Sequence, residues 1–206
     1  MNNQPFTPKG TATRQRIIEA AADLVAAKGV AGATVDEVLA ESAASKSQFY
    51  HYFADKDALI GEVIKLQTAR VFAAQAPQLQ SLGSMAGLRL WRDTAIALNS
   101  AKQGAGGCPL GSLAYQLSGK PGPSRLSLQA SFDAWASFFE NGLIRMQETG
   151  ELLSTANCTE LARALLAALQ GGLLLALTAG DTKPLEIALD MALDHIARHL
   201  APGRML

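Results

Sequence analysis

Three helix-start signals crowd into one stretch: Thr34, Ser45 and Asp55 each stand directly before an apolar, helix-periodic run in TVDEVLAESAASKSQFYHYFADKDAL, residues 34–59. A Thr, Ser or Asp side chain in that position accepts a hydrogen bond from an amide in the first helical turn. Thr34 and Glu37 also have the spacing of a capping box, in which hydroxyl and carboxylate satisfy each other's backbone ends. The pattern therefore predicts a short helix from Thr34 to about residue 41 and another from Ser45 to about residue 53, joined by Ser42, Ala43 and Ala44. Helices this short need heavy anchoring, because most helical stability comes from packing one face. Phe49, Tyr50, Tyr52 and Phe53 put four rings into five positions of a chain that is only 6% aromatic. Phe49 and Phe53, four apart, are predicted to pack inward with Tyr52 beside them, while Ser47, Gln48 and His51 project elsewhere.

The rest of the chain is helical in period almost throughout, and no alternating β-branched run between turn signals occurs, so the fold class is all-α with about nine helices. The first helix is predicted over about 11–28, with Ile17, Ala21, Leu24 and Val25 on one stripe and Gly29 at its end. A fourth follows Asp55 through Leu59, Val63 and Leu66 to about residue 75, before Pro77. Longer helices are then expected over about 84–102, 124–149, 159–179 and 184–200, with a short one over about 110–118 and breaks at 104–107 and at GKPGP, residues 119–123. The start, MNNQPFTPKG, is polar and contains two prolines, and is read as a mobile arm.

With 18 basic and 18 acidic residues, the chain has no overall charge that would mark a nucleic acid, membrane or acidic substrate as its partner. Such a partner must be read from local clusters; residues 1–70 alone hold eight basic and eight acidic side chains, so non-specific DNA affinity should be modest. Cys108 and Cys158, fifty residues apart without a secretory segment, indicate a reducing, cytoplasmic setting. Residues 164–180 are uncharged over 17 positions, the lower edge of a membrane span, but are diluted by alanine, glycine and Gln170. They are read as a core helix that also meets a second subunit. His195 and His199, with Asp194, have chelating spacing but sit where a solvated helix end favours histidine, so no metal is assigned.

Three short helices followed by a long one have the layout of a helix-turn-helix, whose second helix lies in the major groove. Residues 14–60 here resemble the DNA-binding domain of the TetR (tetracycline-repressor-like) family, through RQRIIEAAADLVAAKG and the core Phe49, Tyr50, Phe53, Lys56 and Leu59. The resemblance implies a DNA-binding domain over residues 1–56, a ligand-binding and dimerisation domain over 57–206, and a homodimer on a palindromic operator of double-stranded DNA. It places Lys46, Ser47 and Gln48 at base edges and Tyr50 and Lys56 at phosphates. A glutamine amide can bond adenine bidentately, a lysine can reach guanine acceptors, and a tyrosine hydroxyl can donate to phosphate. Thr34 and Ser45 at helix starts, His51, and Arg14 with Lys9 and Arg16 at the first helix complete the candidate DNA contacts. The family usually has glycine where this chain has Ala43, so a left-handed turn there would cost roughly 1 kcal/mol.

The second domain shows no phosphate loop and no demonstrable nucleophile set, so the chain is read as no enzyme and without cofactor. A small-molecule pocket is expected from Trp91, Thr94, Leu98, Leu113, Leu117, Phe132, Trp135 and Phe139, with Asn99, Tyr115 and Gln116 as polar anchors. The segment GGCPLGSL, residues 106–113, resembles the Gly-Cys-x-x-Gly segment of one branch of TetR regulators, some of which respond to electrophiles or oxidants through that cysteine. A thiol near a helix start would have a stabilised thiolate, which makes Cys108 a candidate ligand contact. A helical enzyme or thiol-based redox protein using Cys108 is the alternative reading. Leu161, Leu165, Leu169, Leu173 and Leu177, with Leu185, Leu189, Ala192, Leu193 and Ile196, are expected to pair with their copies across a two-fold axis.

Overall fold

A computed structural model describes residues 7–100, 107–117, 119 and 121–202. Among the described residues there are ten helices: α1 (Pro8–Gly32), α2 (Val35–Ser42), α3 (Lys46–Tyr52), α4 (Lys56–Ala73), α5 (Ala76–Leu79), α6 (Met85–Ser100), α7 (Pro109–Leu117), α8 (Pro123–Glu148), α9 (Cys158–Ala179) and α10 (Lys183–Ala197). The all-α expectation holds, with one short helix, α5, beyond the anticipated nine. The expected break at 104–107 and the end of the helix before it fall mostly outside the described residues, as does the arm over residues 1–6. The first helix starts earlier than expected: α1 begins at Pro8, because Thr7 caps it by accepting from the Gly10 amide at 3.1 Å. Proline is favoured at a first helical position, where its missing N–H costs nothing.

The chain forms two compact units. One contains residues to Arg70 together with Ser112–Ser131, and the other contains Val71–Gly111 and Phe132–Leu206. The chain passes from one to the other within α4, α7 and α8.

In the first unit, Ile17, Ile18, Ala21, Ala22, Val38, Phe49, Phe53, Leu59 and Val63 form one buried cluster drawn from α1, α2, α3 and α4. Gly29, at φ +74°, interrupts α1 where a helix-ending glycine was expected, and one further turn follows it. The backbone groups freed at this kink are claimed from two sides. The Val30 amide donates to Gln116 Oε1 at 2.6 Å, and Lys56 Nζ donates to the Val30 carbonyl at 2.6 Å. Asp57 accepts from the Ser124 amide at 3.2 Å and from the Ser124 hydroxyl, tying the start of α8 to the start of α4.

Between α2 and α3 the chain turns at Ala43, which stands at φ 50°, ψ 37°, in the left-handed region. The geometry that glycine would favour is thus retained with alanine, and its strain is carried. Ala43→Gly is expected to raise unfolding free energy by up to about 1 kcal/mol, less what glycine's looser unfolded chain takes back. Thermal denaturation checks this; a lowered midpoint would contradict it.

In the second unit, α9 and α10 pack along a seam of Leu161, Leu165, Leu169, Leu173, Leu185, Leu189, Leu193 and Ile196, all buried within one protomer. Gly172 permits the close approach, because a Cβ there would lie 2.9 Å from the Leu185 Cα. The leucines expected to face a second subunit are therefore spent on the intramolecular seam, apart from Leu177. What stays uncovered is the opposite side: Leu174 (61% exposed), Leu175 (58%), Ile187 (52%) and Met191 (69%). By length and composition α9 is apolar enough to cross a membrane, but it carries the buried face of a core helix.

Candidate functional site

The α3 helix sorts its residues cleanly. Phe49 and Phe53 are buried, 5.5 Å apart between ring centroids, with Tyr52 partly buried beside them. Lys46, Ser47, Gln48, Tyr50 and His51 are exposed, and the Tyr50 ring meets Phe49 edge-on at 5.2 Å. Ring burial at about 1.5–3 kcal/mol per side chain holds a seven-residue helix that could not stand alone.

Both short helices carry complete capping boxes. Thr34 accepts from the Glu37 amide, and Glu37 accepts in return from the Thr34 amide at 3.0 Å and hydroxyl at 2.8 Å. Ser45 Oγ accepts from the Gln48 amide at 3.1 Å, while Gln48 Oε1 accepts from the Ser45 amide at 2.8 Å. The second box was not anticipated, although Ser45 and Gln48 have its spacing. It turns the Gln48 carbonyl back to the chain, leaving the amide NH2 as the outward group. That group suits the acceptors of guanine, or N7 of adenine and O4 of thymine.

The basic residues divide in two. Lys9, Arg16 and Lys46 are exposed and, among the described residues, form no ion pair. Arg14 instead pairs with Glu62 at 2.6 Å and lies over the Phe53 ring at 5.5 Å, so its charge is turned into the unit. One of the three Lys56 donors is committed to Val30, which locates that ammonium at the α1 kink.

Lys28 pairs with Glu37 at 2.6 Å, and this bond, with the Thr34 amide and hydroxyl, holds the Glu37 carboxyl down at about 2. A depressed carboxyl contributes stability that is complete above its unfolded value of 4.5 and is lost as pH falls towards 2. The first unit is accordingly expected to loosen over that window, and Glu37→Gln to flatten the dependence there, as circular dichroism melts at stepped pH would show. The pair is exposed, so added salt should shrink the effect.

Of the anticipated pocket residues, Trp91, Trp135 and Phe139 lie buried in the second unit, Trp91 against Phe139 at 4.7 Å. Phe132 and Thr94 are half-buried there and Leu98 is 40% exposed. Leu113 and Leu117 are buried residues of the first unit. Of the polar anchors, Gln116 is engaged with Val30, Tyr115 is 85% exposed, and Asn99 is buried at 3%.

Cys108 sits just before α7, yet burial pushes its thiol up, outweighing the Gly111 and Leu110 amides and Gln170, which favour the thiolate. The expectation of an activated thiolate is thus reversed by desolvation, which penalises the charged form. Iodoacetamide is expected to alkylate Cys108 at neutral pH more slowly than free glutathione; a faster rate would show an activated thiol. Cys158 is buried and likewise pushed up. His195 and His199 meet edge-on at 5.4 Å, and among the described residues no group of three or more potential ligands could hold a metal ion.

Comparison with known proteins matches residues 17–63 to "Bacterial regulatory proteins, tetR family" and residues 85–192 to "Tetracyclin repressor-like, C-terminal domain". The chain is 27% identical to the HTH-type transcriptional regulator LmrA of Bacillus subtilis over 84% of its own length and 90% of that protein's. It is 26% identical to the HTH-type transcriptional repressor DhaR of Mycobacterium sp., over 85% and 88% respectively. The fold is similar to that of a TetR-family regulator from Cytophaga hutchinsonii, with TM-score 0.77 at 18% identity, covering 96% of this chain and 99% of that one.

Proposed function

The chain belongs to the TetR family and is a DNA-binding transcriptional regulator, and from that premise we propose that it acts as a homodimeric, cytoplasmic repressor released from a palindromic operator by a small molecule. The observation that carries the reading is the α3 surface: Lys46, Ser47, Gln48 and Tyr50 stand exposed on a helix bolted down by Phe49 and Phe53. Lys46, Ser47 and Gln48 read base edges, and Tyr50, with the capped helix starts at Thr34 and Ser45, meets phosphates. His51 adds a polar ring at the end of the same helix. The DNA-reading part ends near residue 56, and the remainder takes the effector and the second copy.

Dimerisation uses the uncovered face of Leu174, Leu175, Ile187 and Met191, an apolar surface that invites a self-complementary partner. A two-fold dimer sets two recognition helices about 34 Å apart, one helical turn of DNA. The effector enters the second unit and acts through α4, which both units share; it must bind the released and operator-bound forms unequally for that to work.

Selection from random duplexes with purified protein tests the reading. It should return a palindrome with half-sites about one turn apart, and a compound screen against that duplex should then find releasing molecules. Recovery of no palindrome overturns operator recognition, and a tightly bound compound that leaves operator affinity unchanged overturns the coupling.

A further inference from the structure

Both tryptophans of the chain are buried in the second unit, each against a phenylalanine ring, and they are treated differently. Trp91 Nε1 donates to Gln75 Oε1 at 2.9 Å, inside a fully buried contact. Trp135 is 2% exposed and Phe72 meets its ring edge-on at 5.9 Å, yet its buried Nε1 has no acceptor among the described residues. Asn99 is 3% exposed, and both its Oδ1 and its Nδ2 are buried and equally without partner. Buried polar groups in native proteins are almost always hydrogen-bonded, and an indole N–H in a core normally finds an acceptor.

These orphans lie on the same side of one helix contact. Leu82, just ahead of α6, lies against Gly142, while Trp91, further along α6, stacks on Phe139. The two helices thus run antiparallel. Beyond the Trp91–Phe139 contact α6 leads through Ala95 to Asn99, two turns on, and α8 leads back to Trp135, one turn away. All five positions are on the buried side of their helices.

Resting on the reading of this unit as the effector-binding part, we propose that Trp135 Nε1 and the Asn99 carboxamide are the polar anchors of the effector, an uncharged carbonyl compound with an adjacent N–H donor and an apolar body. The carbonyl oxygen accepts from Trp135 Nε1–H and Asn99 Nδ2–H, and the donor serves Asn99 Oδ1. A carboxylate or an ammonium is disfavoured. Arg92, half-buried on α6, already pairs through both terminal nitrogens with Asp93 and Asp190, leaving only its Nε without a partner, and an unpaired ion in such a site is strongly penalised. A hydrocarbon of the same shape leaves three polar atoms unsatisfied.

Benzamide, benzoate and toluene, titrated into the full-length protein and followed by calorimetry, separate these cases. Benzamide is expected to bind about tenfold or more tightly than either counterpart, and Asn99→Leu and Trp135→Phe are each expected to erase that preference with helicity unchanged. Equal or tighter binding of benzoate or toluene overturns the proposal, as does a preference that survives in both variants or the absence of saturable benzamide binding. A higher melting temperature for Asn99→Leu, in a protein whose wild type binds no benzamide, identifies the amide as a site for buried water alone and also overturns it. Operator selection without any probe is run in parallel. Specific operator binding with failed benzamide discrimination sinks this site only, and absent operator binding sinks the regulator reading.

Discussion

Replacing Lys46 and Gln48 together by alanine is expected to abolish specific operator binding while leaving the unfolding transition almost where it was. Both side chains are exposed, so little packing goes with them. Ser45 still caps α3 through its own hydroxyl, so only the return bond of Gln48 to the Ser45 amide is lost, a matter of about 1 kcal/mol or less. Each base contact contributes about 1–3 kcal/mol of discrimination, so the pair accounts for a loss of roughly 30-fold or more per half-site. Phe49→Ala makes the contrast. It empties a fully buried ring site and is expected to cost about 3–5 kcal/mol of stability, losing DNA binding by unfolding the helix. Anisotropy titrations at one salt concentration, paired with thermal melts, tell the two apart. Undiminished affinity of the double variant for the selected duplex would remove Lys46 and Gln48 from the readout.

The helix starts at Thr34 and Ser45 and the inward rings of α3 were all legible, because each is set by residues within one helical turn of one another. What escaped is long-range. Gln116 was read as a pocket anchor, but its carbonyl meets the Val30 amide 86 residues away, and no local spacing signals such a bond. Arg14 and Lys56 look like free cations in sequence; Glu62 and the Val30 carbonyl claim them only once the chain has folded. Helical period says which residues share a face but not which partner that face meets. For that reason the leucine rows of α9 and α10 were assigned to a second subunit when they close on each other. At Cys108 the same division holds: the helix-end position is visible in sequence, and the desolvation that pushes the thiol up is not.

The uncovered face of α9 and α10 carries the other large effect. Leu174→Glu combined with Met191→Glu is expected to convert a dimer into a monomer without unfolding it. Leu174 and Met191 are 61% and 69% exposed in the single protomer, so the isolated fold hardly notices the change. In a self-complementary interface each substitution appears twice, and burying carboxylates without partners costs several kcal/mol. Light scattering after size-exclusion chromatography reads the mass directly, and a far-ultraviolet spectrum confirms retained helix. Operator affinity must fall with it, because each recognition helix then binds one half-site alone and the free energy of the second no longer adds. The matched control lies on the seam: Leu165→Glu buries a charge within the protomer at a fully buried position and is expected to unfold the second unit. If the exposed pair leaves the mass dimeric and operator affinity intact, the subunits meet elsewhere, and the apolar face of Leu174, Leu175, Ile187 and Met191 must be explained by a different partner.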